Sequence, residues 1–293
     1  MTAVTDTRLS ATIQDEAVQA SGLSVAEAAA RAAAQLARRR ICLVRGFPVD
    51  ADAYLEFLSA FGEPLDNYSS KSNLAKDAPN PKINRVRYKR KAEVSTQSVH
   101  YVSGALRPHS ARSWRAPRPA YFAMLMVDPG WRDTAAGERG ESIVLSWQSM
   151  FSQLATREPE IFEPHFGRLC STPVSFQADN VREEVSDSPL LYQLPDAQDR
   201  FDVGVRLKQD MRAKAAAIAD TIEDFPAYQQ ALHYLLDSSD DPQYQAEFAM
   251  DAGDLLILDN NRFAHGRRKI VGERLEDGEL RTNDRELWSV TVG

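Results

Sequence analysis

The stretch GDLLILDNNRFAHGRRKI, residues 253–270, decides how the chain folds. DLLILD (254–259) is a short apolar run with Gly253-Asp254 before it and Asp259-Asn260-Asn261 after it. An apolar run bounded by turn formers predicts a strand. Asn and Asp turn the chain through side-chain hydrogen bonds to nearby backbone, and RFAHG (262–266) predicts the returning strand. That second strand carries a histidine, His265.

Outward from this hairpin, YQAEFAM (244–250) and ELWSVTV (286–292) predict further short strands. PAYFAMLMV (119–127) and SIVLSW (142–147) predict two more, joined by the turn-rich DPGWRDTAAGERG. ICLVRGF (41–47) is another, ended by Gly46 and Pro48. Helices are expected over 147–155 and 206–237. LSVAEAAARAAAQLARRR (23–40) has helical composition, with Ser24 as N-cap, Glu27 three residues on and arginines in the last turn. ADAYLEFLSAFG (51–62) predicts a helix with Leu55, Leu58 and Phe61 on one face, stopped by Gly62 and Pro64. Residues 1–22 read as a loose arm or a single short strand. Residues 66–98 lack a period and read as a mobile lid. One mixed α+β domain over 23–293, built on a β core, is the expected architecture.

Composition limits the function classes. The 293 residues carry a net charge of −7, which disfavours a partner in polymeric nucleic acid or an acidic membrane surface. The two cysteines, Cys42 and Cys170, cannot build a disulfide scaffold or a zinc cluster and fit a reducing cytoplasmic setting. No apolar run is long enough to span a membrane, and the first twenty residues lack the apolar core of a signal peptide.

Five histidines are present: His100, His109, His165, His233 and His265. His165 and His233 read as structural or surface residues, and His100 as a satisfied structural one. His109, in LRPHSARSW just before an expected strand, and His265 stand in contexts that invite a catalytic reading, although only the fold could bring them together. GDLLILDNNRFAHGRRKI resembles the distal-histidine segment of the iron(II)/2-oxoglutarate oxygenases, in their taurine dioxygenase-like branch. LRPHSARSW followed by RPAYFAMLMV resembles the segment of that family's first metal histidine. GERGES (137–142) resembles its glycine-acid-threonine segment, and ICLVRGFPVD and FLSAFGEPL resemble its N-terminal strand and helix. The resemblance runs from about residue 40 to the C-terminus.

It implies a double-stranded β-helix, or jelly roll, with helices packed outside. His109 and His265 become iron(II) ligands by this resemblance, and 2-oxoglutarate and O2 become co-substrates. Two histidines and a carboxylate on one face of an octahedral site leave three positions for the keto acid and O2. The family's arginine for the distal carboxylate of 2-oxoglutarate falls at Arg285, with Arg281 as a rival in register. Ser142 falls at the threonine that assists it. A guanidinium suits this role because it forks onto a carboxylate with two hydrogen bonds.

One departure matters. The family motif is His-x-Asp or His-x-Glu, and here it reads His109-Ser110-Ala111. A methyl group cannot coordinate iron. Ala111 resembles the pattern of the family's radical halogenases, in which chloride fills the vacated position. Three readings stay open. The first, and the one expected because both histidines, Arg285 and the keto-acid segment are retained together, is a halogenase chlorinating an unactivated carbon, with Arg112, Ser113, Asn283 or Trp288 as candidate halide donors. The second is a hydroxylase, desaturase or cyclising oxygenase in which water, Glu93 or Glu141 completes the site. The third is a metal-free jelly-roll binding protein.

Substrate clues are sparser. Arg85, Arg87, Lys89, Arg90 and Lys91 form a basic cluster. Alternation could set Arg85, Arg87 and Lys89 on one strand face, either as an anion site or as a solvated surface. A small, anionic substrate follows from the first option: an amino acid, a nucleotide or a carrier-bound acyl group. Trp114, Tyr101 and Ser289 are further candidates for the pocket wall, the two aromatics with core packing as the alternative.

Overall fold

The computed structural model describes residues 7–66, 78–89, 102–113, 118–174 and 188–293. The helices are α1 (Thr7–Asp15), α2 (Val25–Arg39), α3 (Ala51–Ser59), α4 (Trp147–Arg157), α5 (Pro159–Ser171), α6 (Met211–Ala217) and α7 (Phe225–Asp240). The strands are β1 (Val18–Gln19), β2 (Ile41–Arg45), β3 (Asn84–Arg87), β4 (Leu106–His109), β5 (Tyr121–Asp128), β6 (Ser142–Ser146), β7 (Pro173–Val174) and β8 (Ser188–Pro189). They continue with β9 (Leu191–Gln193), β10 (Val203–Val205), β11 (Ala246–Phe248), β12 (Leu255–Asp259), β13 (Phe263–Arg267), β14 (Glu273–Glu276), β15 (Glu279–Thr282) and β16 (Glu286–Val292).

Two sheets face each other as a jelly roll. One has the order β1-β2-β12-β5-β16-β3 and the other β11-β6-β13-β4. Strands alternate their side chains between two faces, and here both faces are covered. On β5, Phe122, Met124 and Met126 enter the core between the sheets, while Ala123 and Leu125 join the core shared with α2 and α3. On β12, Leu256 and Leu258 point inward, and Leu255 and Ile257 outward. Double burial explains why these strands read as unbroken apolar runs. The second sheet does the same: Val144 and Phe263 point inward, and Leu145 and Ala264 pack outward with residues of α4, α5 and α7.

The capping box on α2 forms as expected. Ser24 Oγ accepts from the Glu27 N–H, and the Glu27 carboxylate accepts from the Ser24 N–H at 2.8 Å. Such a cap is worth about 1 kcal/mol.

Several expectations are corrected. The N-terminal arm is not loose over its described part. α1 lies against β11 and β2, Ile13 is buried in the inter-sheet core, and Ser10 Oγ donates to the Glu247 carbonyl at 2.9 Å. Leu9 and Ile13, four apart, make the one apolar stripe of an otherwise polar segment. Part of the expected lid is the edge strand β3, paired antiparallel with β16; residues 67–77 and 90–98 lie outside the described residues. On α3 the buried face is Tyr54, Phe57 and Leu58, with Leu55 only half-buried.

The expected helix over 206–237 is α6 and α7 separated by a 3-10 turn, Ala219–Thr221, with residues 206–210 outside any helix. α5 was hidden by its prolines, although Pro159 opens the helix where a missing N–H costs nothing. The hairpin β14–β15 turns on Asp277-Gly278, both at positive φ, the conformation a two-residue Asp-Gly turn requires.

Candidate active site

β4 and β13 run antiparallel, and His109 and His265 are direct register partners. Their ring centroids are 4.2 Å apart, and both residues are buried. His265 stacks on Phe122 with centroids 3.9 Å apart and planes 21° from parallel. His109 Nδ1 lies 2.9 Å from the Arg107 carbonyl and 2.6 Å from Nε2 of Gln209. Burial pulls the His109 pKa below the ordinary imidazole value, opposed by hydrogen bonds to the backbones of Arg107 and His265. A neutral ring is the form that can offer a lone pair to a metal. Two adjacent imidazoles fit a divalent first-row cation, iron(II) included.

The protein supplies no third donor within the described residues: no group of three His, Cys, Asp or Glu side chains there could hold a metal. Ala111 presents its methyl group. Asn260, in the turn between β12 and β13, accepts from the Ala111 N–H and donates to its carbonyl, both at 2.8 Å. Glu141 does not complete the site. Its carboxylate accepts from the Gly137 and Arg139 N–H groups at 2.8 and 3.2 Å and braces the loop before β6. Glu93 lies outside the described residues.

Arg285 precedes β16 and is 3% exposed. It donates from Nη2 to the Gly140 carbonyl at 2.9 Å and makes no ion pair among the described residues. Gly140 is at φ 71°, and a Cβ there would lie 2.7 Å from Arg285 Nε, so the loop must be bare to approach. Burial, with Arg267 and Arg132 nearby, pushes the Arg285 pKa down to about 9, and Glu141 opposes this. A buried cation without a carboxylate is costly unless an anion arrives. The distal carboxylate of 2-oxoglutarate is such an anion, and the donor set fits it. The rival, Arg281, is exposed on β15 and paired with Glu279 at 2.7 Å.

Ser142 is buried opposite Arg267 in the β6–β13 register, and its hydroxyl contacts Met250 Sδ at 3.2 Å. Arg267 lies two residues beyond His265, hence on the same face of β13. It donates to the carbonyls of Val102 and Gly104 at 2.8 and 2.6 Å.

The other candidates scatter. Arg85 and Arg87 do share a face, but it is the outer one. Arg85 is the register partner of Trp288, which packs with the core under α2 and α3, whereas the intervening Val86 points inward. Arg85 forks onto Glu286, with Nε to Oε1 at 2.8 Å, and Lys89 lies beyond the end of β3. Trp288 packs with the outer core and donates to Glu286 at 2.7 Å, and Asn283 donates to the Val271 carbonyl at 2.8 Å. Arg112 and Ser113 are buried beside Ala111; Arg112 takes φ 48°, and Ser113 Oγ has no hydrogen-bond partner among the described residues. Ser289 lies beside Asn84, whose amide donates to its hydroxyl at 3.3 Å. Trp114, Tyr101 and His100 lie outside the described residues.

Sequence reading missed Gln209, Asn260 and Arg267. The turn DNN announces a polar side chain at 260 but not its partner, and Arg267 had the signal of spacing two from His265. Gln209 carried none.

The family model described as "Taurine catabolism dioxygenase TauD, TfdA family" matches residues 5–290. Among solved structures, the chain is similar to asparagine oxygenase (AsnO), with TM-score 0.62 and 16% identity over 91% of this chain and 78% of that one. It is also similar to the non-heme iron oxygenase OrfP in complex with Fe and alpha-ketoglutaric acid, with TM-score 0.57 and 17% identity over 92% and 82%. A third is the PvcB protein from Pseudomonas aeruginosa, with TM-score 0.55 and 17% identity over 90% and 79%.

Proposed function

Since the chain belongs to the TauD/TfdA family of iron(II)/2-oxoglutarate-dependent oxygenases, we propose that it oxidises a C–H bond of a small, amino-acid-like molecule. The observation that carries this is the buried, register-paired His109 and His265 in the same fold as a buried Arg285 that has no ion pair among the described residues. Asparagine oxygenase has been solved with hydroxyasparagine and succinate, and OrfP with hydroxy-L-Arg. Those relatives support an amino-acid-sized substrate, and Arg85 and Arg87, turned to the outer face, do not bear on it.

In this reading His109 and His265 hold iron(II), and Arg285 forks onto the distal carboxylate of 2-oxoglutarate with Ser142 assisting. Iron with the keto acid supplies oxidising power drawn from O2, as 2-oxoglutarate becomes succinate and CO2. The remaining work belongs to the chain. Phe122 fixes the plane of His265, and the apolar inter-sheet core excludes water from that side. Asn84 and Ser289 are polar groups that can orient a substrate.

Halogenation is a second reading, favoured by Ala111 alone. Both outcomes balance: R–H with O2 and 2-oxoglutarate gives R–OH, succinate and CO2. With chloride and a proton added, it gives R–Cl, succinate, CO2 and water. Asparagine oxygenase and OrfP favour the first. Incubation with iron(II), 2-oxoglutarate, O2 and a panel of amino acids, with and without chloride, tests the reading by product mass. Hydroxylated product formed at equal rate without halide supports the oxygenase. A product gaining chlorine supports the halogenase. No succinate under any condition contradicts both.

A further inference from the structure

Among the described residues β4 is the edge strand of its sheet, and an edge strand leaves a row of N–H and C=O groups unpaired. Here the missing neighbour is replaced by the segment 205–209, which runs along that edge. The Ser110 N–H donates to the Leu207 carbonyl at 2.9 Å. Ser110 Oγ donates to the Val205 carbonyl at 2.9 Å. Arg206 Nε donates to the Ser113 carbonyl at 3.3 Å. At the far end, the side chain of Gln209 does what a backbone peptide would do in a paired strand. Its Oε1 accepts from the Arg107 N–H at 3.1 Å and its Nε2 donates to the Arg107 carbonyl at 2.6 Å.

The same Nε2 is 2.6 Å from His109 Nδ1, and that ring nitrogen is itself 2.9 Å from the Arg107 carbonyl. A carbonyl has two lone pairs and can accept from both nitrogens. Both backbone contacts orient the carboxamide the same way, oxygen toward N–H and nitrogen toward C=O.

We propose that Gln209 is a positioning residue for the metal centre: it closes the Nδ1 side of His109, so that Nε2 is the nitrogen turned to the cation. With Nδ1 carrying the proton and donating to Arg107, the ring sits in the tautomer whose Nε2 lone pair is free; Gln209, whose Nε2 is a donor as well, does not bond the ring but acts through the Arg107 carbonyl that accepts from both. The inference rests on the metal reading of His109 and His265. It adds a residue that no family motif supplied and that lies a hundred positions from the histidine it serves.

The experiment is anaerobic titration of the full-length protein with iron(II), comparing wild type, Gln209→Leu, Gln209→Glu, Asp240→Asn and His109→Ala, with a melting temperature for each metal-free protein. Outer partners of metal-bound histidines are worth about 10- to 100-fold in metal affinity. Gln209→Leu should weaken iron binding by that factor. Gln209→Glu keeps the length and the acceptor for the Arg107 N–H and should lose less. Asp240→Asn removes the Arg107 side-chain ion pair on the same strand without touching the ring, and should leave affinity unchanged even where it lowers the melting temperature. Equal affinity in Gln209→Leu and wild type would overturn the proposal. So would a loss in Asp240→Asn matching that in Gln209→Leu, because general loosening of β4 would then be the cause. Should Gln209→Leu fail to fold, affinity in Gln209→Glu equal to wild type would overturn it. If His109→Ala binds iron as wild type does, the metal reading itself fails, and that outcome is distinct from the others.

Discussion

Asn260 holds both ends of the Ala111 peptide, accepting from its N–H and donating to its carbonyl at 2.8 Å each. The backbone at the family's carboxylate position is therefore fixed by a side chain from the turn that leads into the strand of His265. A substitution at 111 changes the group on Cβ and leaves the peptide where it is.

For that reason Ala111→Asp should fold and bind iron(II) more tightly than wild type, by about tenfold, as a carboxylate joins the two imidazoles. Any dependence of the reaction on chloride should vanish in this variant. Metal titration and product mass with and without chloride check both. Chlorinated product from Ala111→Asp at the wild-type rate would contradict the vacancy as a halide site.

Arg285→Gln should raise the dissociation constant of 2-oxoglutarate 100-fold or more, since two charge-assisted hydrogen bonds at about 1.5–3 kcal/mol each are lost. Arg285→Lys keeps the charge but not the fork and should fall between. The ligand-free Arg285→Gln protein should melt no lower than wild type, because a buried charge with no carboxylate partner costs stability. Calorimetric titration of 2-oxoglutarate into wild type, Arg285→Lys and Arg285→Gln, alongside thermal melts, reads both effects; equal affinity in wild type and Arg285→Gln would contradict the role of Arg285.

Arg206 is 1% exposed and donates to the carbonyls of Ser113, Val174 and Ser188 and to Ser188 Oγ. Arg206→Leu should lower unfolding stability by roughly 2–4 kcal/mol, because those buried acceptors lose their donor. Urea denaturation measures it.

The strands of the central hairpin, the α2 cap and the two histidines were legible in the chain because each depends on local chemistry: apolar runs between turn formers, a Ser with Glu three residues on, and histidines in recognisable surroundings. What was hidden depends on pairings remote in sequence. The alternation of Arg85 and Arg87 is visible, but which face of β3 turns inward is set by the register with β16, where Trp288 stands opposite Arg85. Gln209 is a polar residue after a short strand until it is seen bonded to both backbone groups of Arg107 on β4. α1 read as a loose arm or a short strand because its buried face holds only two apolar residues, Leu9 and Ile13, beside the polar Ser10.

Arg85→Gln should leave the substrate KM unchanged while lowering stability by about 1–2 kcal/mol, since its partner Glu286 is nearly buried and loses its counterion. Steady-state kinetics alongside thermal melts separate the two. A large rise in KM with unchanged stability would return Arg85 to the substrate site.

The central claim is that His109 and His265 form an iron(II) centre that takes 2-oxoglutarate. Anaerobic addition of iron(II) and then 2-oxoglutarate to wild type and to His265→Ala, followed by the visible charge-transfer band of the keto-acid chelate, tests it most directly. The band should form in wild type, be lost in His265→Ala, and shift on adding chloride only if halide enters the position beside Ala111. No band in wild type, or the same band in His265→Ala, would contradict the claim and leave the jelly roll as a metal-free binding fold.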